Sequence, residues 1–187
     1  MHIRIISGTY KGRRISAPKN LPIRPTTDRA KEALFNILNN KVYIPELKIL
    51  DLFTGSGSIS YEFASRGAKK ITAVDNNYHV IKFVKKISGE FDFPIQTVKK
   101  DVIKFLEKTG ETYDLIFADP PYDLEPEKMR KIINLIFQRK ILNKNGIFVL
   151  EHKEQLDFSD EKHFVEKRKY GISVFSFFQN TGTRDNE

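Results

Sequence analysis

With 187 residues, 40% of them hydrophobic and 30% charged, the chain is long and apolar enough for one globular domain with its own core, which excludes a disordered chain. It contains no cysteine, so disulfides and thiolate metal sites are excluded, and no apolar run approaches the length of a membrane span. The net charge of +8 is unevenly placed, with +7 on residues 1–41 and +1 on the rest.

The basic segment sets Arg4, Lys11, Arg13, Arg14, Lys19, Arg24, Arg29, Lys31 and Lys41 against Asp28 and Glu32. An excess gathered in one segment points to a face that meets a polyanion. Ile3, Ile5, Ile6, Tyr10 and Ile15 interleave with the bases, so the arm is expected to be folded rather than a solvated charge run. Residues 3–7 and 13–17 flank a loop with Gly8 and Gly12 at its ends and predict a hairpin. Pro18, Pro22 and Pro25 then hold an extended connector. Thr26 or Thr27 caps a helix whose apolar positions Ala30, Ala33, Leu34, Ile37 and Leu38 recur at helical spacing.

Beyond Pro45, strand-like runs fall at 48–53, 71–75, 95–98, 113–118 and 146–151. Helical patterns fill the gaps at about 58–66, 77–89, 102–108 and 126–139, with Pro126 in a first turn that tolerates it. This alternation predicts a parallel, doubly wound sheet with right-handed crossovers. Residues 163–169 and 172–178 sit either side of Tyr170-Gly171 with no helix between them and predict an antiparallel pair. One domain is expected, with a basic hairpin-and-helix extension at 1–45 and an α/β core at 46–187.

Three acids end three successive predicted strands. Asp51 precedes Leu52-Phe53-Thr54-Gly55-Ser56-Gly57-Ser58, where Gly55 and Gly57 permit a tight turn and let backbone approach a ligand. The loop lacks the third glycine of a dinucleotide fingerprint and the Lys-Ser/Thr ending of a phosphate loop. Asp51 beside it would repel phosphate but could receive an ammonium. Asp75, followed by Asn76, stands where an acid in such folds bridges ribose hydroxyls. Asp101, before Val102, could accept from an adenine amino group. Together they describe a site for a nucleoside bearing an amino group and little negative charge, which S-adenosylmethionine satisfies. His2, His79, His152 and His163 have no ligand-like spacing and no metal site is expected.

The fourth strand ends at Asp119-Pro120-Pro121-Tyr122. Two prolines without N–H groups cannot continue the ladder, which leaves a carboxylate, a stiff backbone and a ring at the carboxyl edge of the sheet. An acceptor beside a stacking ring suits a flat, amino-bearing nucleobase, and the tetrapeptide would hold an adenine or a guanine amino group equally.

On these residues the chain resembles the Rossmann-like class I S-adenosylmethionine-dependent methyltransferases. Within them it resembles the RsmD family, which methylates the exocyclic N2 of a guanine in bacterial small-subunit (16S) ribosomal RNA. The resemblance rests on Ile5-Ile6-Ser7-Gly8, Lys11-Gly12-Arg13, Arg24-Pro25-Thr26-Thr27-Asp28-Arg29, the Asp51–Gly57 loop, Ser65-Arg66-Gly67-Ala68 and Asp119-Pro120-Pro121-Tyr122. It implies a seven-stranded, mostly parallel sheet with an antiparallel last strand. It places Asp51, Gly55 and Gly57 around the methionine moiety, Asp75 at the ribose and Asp101 at the adenine, with Phe53, Thr54, Asn76 and Val102 as further cofactor-binding residues. Asp119, Pro120, Pro121 and Tyr122 would hold the target base, and Arg4, Lys11, Arg13, Arg14, Arg24 and Arg29 the RNA.

The resemblance further implies S-adenosylhomocysteine as product and an assembled or assembling small ribosomal subunit as partner. A monomeric, cytoplasmic enzyme with no membrane contact is expected. Two other readings use the same residues: a DNA adenine-N6 methyltransferase, for which little chain remains outside the core, and a non-enzymatic RNA-binding assembly factor with a vestigial pocket.

Overall fold

The computed structural model describes residues 1–24 and 26–180, so that Pro25 of the connector lies outside the described residues. A hairpin of β1 (His2–Arg4) and β2 (Arg14–Ser16) leads to helix α1 (Asp28–Asn39). The core then runs β3 (Lys48–Leu52), α2 (Ser58–Ser65), β4 (Lys70–Asp75), α3 (Tyr78–Phe91) and β5 (Ile95–Lys99). It continues with α4 (Val102–Lys108), β6 (Tyr113–Ala118), α5 (Pro126–Gln138), β7 (Leu142–Lys153), β8 (Phe164–Tyr170) and β9 (Ser173–Gln179).

Seven strands form one sheet in the order β5-β4-β3-β6-β7-β9-β8. β3 to β7 pair in parallel, and β9 is antiparallel to both β7 and β8, as the helix-free end of the chain predicted. The central strands are apolar on both faces because helices cover both. On one side α4 and α5 bury Val102, Phe105, Leu106, Ile132 and Ile136 against Leu50, Leu52, Ile116 and Phe148. On the other, α1 and α2 set Leu34, Phe35, Leu38, Ile59 and Phe63 against Ile49, Leu115, Phe117 and Val149. Beside them, Ile3, Ile5 and Ile15 of the hairpin share a third cluster with Tyr61, Phe83, Val84 and Phe93.

The hairpin is shorter than its sequence predicted, for a definite reason. Ile6 N and Ser7 N donate to the Glu62 carboxylate at 2.8 and 3.1 Å instead of to a partner strand. Arg66 Nε donates to the same carboxylate at 2.9 Å, and Lys31 Nζ lies 3.5 Å away. Lys31 also donates to Arg4 O and Ser58 Oγ, so a lysine lies in the buried stripe of α1 where Ala30 and Ala33 are only partly covered. Burial lowers its pKa, and the Glu62 charge opposes that shift. At Gly8 (φ 89°) a side chain would meet Ser65 O at 2.0 Å, and Thr9 N donates to that oxygen at 2.8 Å. The basic segment is therefore fastened to α2 by polar contacts as well as by its isoleucines.

β7 begins at Leu142, four residues before the predicted start. Its pairing with β6 shifts between Tyr113↔Leu142 and Leu115↔Ile147, leaving residues 143–146 in an irregularity opposite Asp114. Asn143 Nδ2 donates to Asp114 Oδ1 at 2.8 Å and closes it. An Asn-Lys-Asn-Gly sequence reads as a turn, which hid the strand start.

Candidate active site

A cavity of about 600 Å³ opens at the carboxyl ends of β3, β4, β5 and β6. The strand order reverses there, since β3 has β4 on one side and β6 on the other, and such reversals leave a crevice between the diverging connections. Phe53, Thr54, Gly55, Asp75, Asn76 and Asp101 line one half. Asp119, Pro120, Pro121, Tyr122 and the connector residues Ile23, Arg24 and Thr26 line the other.

In the first half the acids are already bonded to the protein. Asp51 is buried, and its Oδ2 accepts from Thr54 Oγ1 at 2.7 Å and Ser60 Oγ at 2.6 Å. Burial pushes its carboxyl up to about 7 against those two hydrogen bonds, which lower it. Asp75 accepts from Gly55 N at 3.2 Å through Oδ2 and from Asn77 N at 3.0 Å through Oδ1, so it ties the glycine loop to the end of β4. Asp101 caps α4 by accepting from Lys104 N at 3.0 Å while lining the cavity. Phe53 takes a left-handed backbone (φ 59°) at the turn, a conformation held only where surroundings impose it.

Two of the expected cofactor residues are set back. Gly57 (φ 83°) is not at the cavity wall: a Cβ there would come within 2.5 Å of the Tyr61 ring, so this glycine serves packing rather than ligand approach. Val102 is buried in the α4–α5 core behind Asp101.

The second half is built differently. Asp119 Oδ1 accepts from Arg24 Nη2 at 2.5 Å, and the guanidinium carbon lies 3.8 Å from the centre of the Tyr122 ring. Tyr122 is 39% exposed, although it borders a pocket. Burial raises the pKa of Asp119, and the Arg24 charge and hydrogen bond oppose it. Glu151, two residues before the end of β7 and behind the cavity wall, is 5% exposed and its Oε2 has no hydrogen-bond partner. Its pKa is raised to about 8, by burial and then by the charge of Asp119, with Arg24 and a hydrogen bond from Ser173 lowering it.

Sequence reasoning did not single out Glu151, although the signal was there: an acid ending a predicted strand, as Asp75 does. Ser60 was missed too, because a serine inside a helix carries no mark of its partner.

Of the six expected RNA residues, Lys11, Arg13 and Arg14 are exposed at the hairpin turn, and Arg29 is exposed on α1. Arg4 is exposed and pairs with Asp28 at 3.0 Å. Arg24 is exposed as well, but it lines the cavity. His152 is buried, bonded to Ser176 Oγ at 2.8 Å and Lys153 O at 2.9 Å, a structural role. Among the described residues no cluster could hold a metal ion, and no helix is long and apolar enough to cross a membrane.

The family described as Conserved hypothetical protein 95 matches residues 3–179. The chain belongs to this family. It is 34% identical to the ribosomal RNA small subunit methyltransferase D of Buchnera aphidicola subsp. Acyrthosiphon pisum, over 89% of this chain and 86% of that protein. It is 29% identical to the protein of the same name from Haemophilus influenzae, over 95% and 94%. Family membership at that coverage makes the resemblance seen in the sequence one of common descent.

Among solved structures, the Thermus thermophilus 16S rRNA N2 G1207 methyltransferase (RsmC), in complex with AdoMet and guanosine, has a TM-score of 0.76. It is 19% identical and covers 96% of this chain and 49% of that one, which establishes the shared class I methyltransferase fold.

Proposed function

We propose that the chain transfers a methyl group from S-adenosylmethionine to the exocyclic N2 of a guanine in small-subunit ribosomal RNA. The observation that carries this is one cavity with two halves, a glycine loop with three strand-end acids facing a carboxylate and a ring on rigid Pro-Pro backbone. The cavity suits the donor: its acids would meet an ammonium and hydroxyls, and its loop lacks the lysine that a phosphate would need. Asp51 would take the ammonium, Asp75 the ribose hydroxyls and Asp101 the adenine amino group. When bound, S-adenosylmethionine supplies an electrophilic methyl group on a sulfonium.

The acceptor is the harder problem, because an exocyclic amino nitrogen shares its lone pair with the ring. Asp119 and the Pro120 carbonyl can accept its two N–H bonds and free the lone pair for in-line attack, with positioning supplying much of the rate. Asp119, its pKa raised by burial, can then take the proton that methylation makes acidic. Tyr122 would stack on the base, a contact worth about 1–3 kcal/mol. The base must leave its stack to enter. Lys11, Arg13, Arg14 and Arg29, exposed on one extension, would engage the surrounding phosphates. The enzyme would act as a monomer in the cytoplasm on an assembled or assembling subunit.

The test is transfer of labelled methyl from S-adenosylmethionine to small ribosomal subunits lacking the modification. Transfer to DNA instead would overturn the substrate. No transfer to any nucleic acid would leave an RNA-binding protein with an idle pocket.

A further inference from the structure

We infer that Glu151 and Asp119 form a paired-carboxylate recess that reads the N1–H and N2–H edge of guanine, and that the Arg24 guanidinium occupies this recess in the free protein. The inference rests on the guanine reading above and extends it from the methylated nitrogen to the choice of base.

Arg24 supplies the first observation. Its flat head lies over Tyr122 at 3.8 Å and places an N–H on Asp119 at 2.5 Å. Guanine carries a guanidine of its own, made of N1–H, the C2 amino group and N3. The side chain therefore displays, on the expected ring and the expected carboxylate, the chemistry of the expected base.

Glu151 supplies the second, independent one. Ala118 and Leu150 are register partners on parallel β6 and β7, so Asp119 and Glu151 follow as neighbours on strands about 4.8 Å apart. Pleat alternation puts both on the side of Phe117 and Val149, the face that α1 and α2 cover. Buried carboxylate oxygens are almost always hydrogen-bonded, and Oε2 of Glu151 is not. The nearby charges acting on the carboxylate are Asp119 and Arg24, and Ser173 hydrogen-bonds it as well, which leaves Oε2 as the open acceptor.

Guanine offers three donors on this edge, one on N1 and two on N2. The recess offers three acceptors: Glu151, Asp119 and the Pro120 carbonyl. Adenine presents only two donors, with the bare lone pair of its own N1 beside them. Against Glu151 that lone pair would set acceptor on acceptor. Asp119 alone holds either amino group, so Glu151 is the group that discriminates. Burial and the Asp119 charge raise its pKa to about 8, and a bound N1–H favours the ionised, accepting form, so the preference for guanosine should rise with pH toward that value.

The test uses guanosine and 2-aminopurine riboside, which keeps the C2 amino group but has no hydrogen on N1. Binding is measured on the full chain saturated with S-adenosylhomocysteine, following 2-aminopurine fluorescence directly and guanosine by its displacement. The wild type should favour guanosine by about tenfold, the worth of one hydrogen bond to a buried charge. In Glu151→Gln, whose amide can donate to the bare N1, the preference should fall to about one. S-adenosylhomocysteine affinity and melting temperature should not change in that variant. Glu151→Leu should also lose the preference by losing guanosine. Arg24→Ala should tighten both nucleosides a few-fold and still favour guanosine.

A preference kept in Glu151→Gln, or none in the wild type, overturns the role of Glu151. Weaker nucleoside binding in Arg24→Ala overturns the placeholder. Wild-type methyl transfer to ribosomal RNA is followed in parallel. Its loss would count against the functional reading, whereas intact transfer with an unchanged ratio would count against Glu151 alone.

Discussion

The carboxylates at the ends of β3, β4 and β5 and the Asp119 carboxylate after β6 line one crevice, with Glu151 of β7 buried beside Asp119, but the two groups are held in opposite ways. Asp51, Asp75 and Asp101 take hydrogen bonds from Thr54, Ser60, Asn77 and Lys104 within their own strand–turn–helix units, and Asp75 takes one more from Gly55 of the neighbouring unit. Their positions are set before any ligand arrives. Asp119 is held by Arg24 from a distant connector, and Glu151 keeps an unpartnered oxygen. The first half is finished by folding. The second is closed by a side chain that can be replaced. A binding pocket for a constant small molecule gains from rigidity, whereas a pocket for one base of a large RNA must open to admit it.

Removing the acceptor breaks the contrast most severely. Asp119→Ala should lower methyl transfer by more than about a hundredfold, the scale of a lost group aimed at a transition state. S-adenosylhomocysteine affinity should stay within about twofold in equilibrium dialysis. Lost cofactor affinity would mean that the two halves are one site energetically.

The attachment of the basic extension comes next. Glu62→Ala leaves Lys31 buried without its counter-charge and strips partners from Ile6 N, Ser7 N and Arg66. Urea unfolding should show a loss of about 3–5 kcal/mol. A change under about 1 kcal/mol would mean that the extension docks through its apolar residues alone.

A pH titration sharpens the first half. The Asp51 carboxyl is raised to about 7, so between about pH 4 and 7 the folded protein holds a proton that the unfolded chain has shed. The contribution of this group to the stability of the ligand-free protein is therefore lost as pH rises through that window. Binding of an ammonium favours the ionised form, so S-adenosylhomocysteine affinity should climb with pH toward about 7 and then level. Asp51→Asn should flatten that climb, and an unchanged slope in the variant would place the titrating group elsewhere.

The smallest effect is expected on the outer face. Arg13→Ala with Arg14→Ala should weaken RNA binding at low salt. It should also reduce the slope of log affinity against log salt by up to about 0.7 per lost phosphate contact on a single strand. Filter binding across a salt series reads both, and an unchanged slope would make these arginines a solvated surface.

What was legible in the sequence follows the same division. The strands, the order of acids at their ends and the Pro-Pro break announced the crevice because each is a local signal, fixed by period or by a missing N–H. The glycine loop was legible only in part: Gly55 lies at the cavity, while Gly57 answers to the Tyr61 ring one helical turn away. Lys31 counted as one more base of a charged arm, and only the fold shows it buried on Glu62. Arg24 looked like its neighbours Arg13 and Arg29, since nothing local tells an arginine that contacts RNA from one that lies on Tyr122. Glu151 carried the same strand-end mark as Asp75, but its neighbour Asp119 is brought beside it only by the pairing of β6 with β7.

The most direct measurement of the central claim is nucleoside mass spectrometry on ribosomal RNA after reaction of small subunits with the enzyme and labelled S-adenosylmethionine. The account predicts label in N2-methylguanosine at a single site, with none in that position for Asp119→Ala. Label in N6-methyladenosine, or in DNA rather than ribosomal RNA, would contradict it.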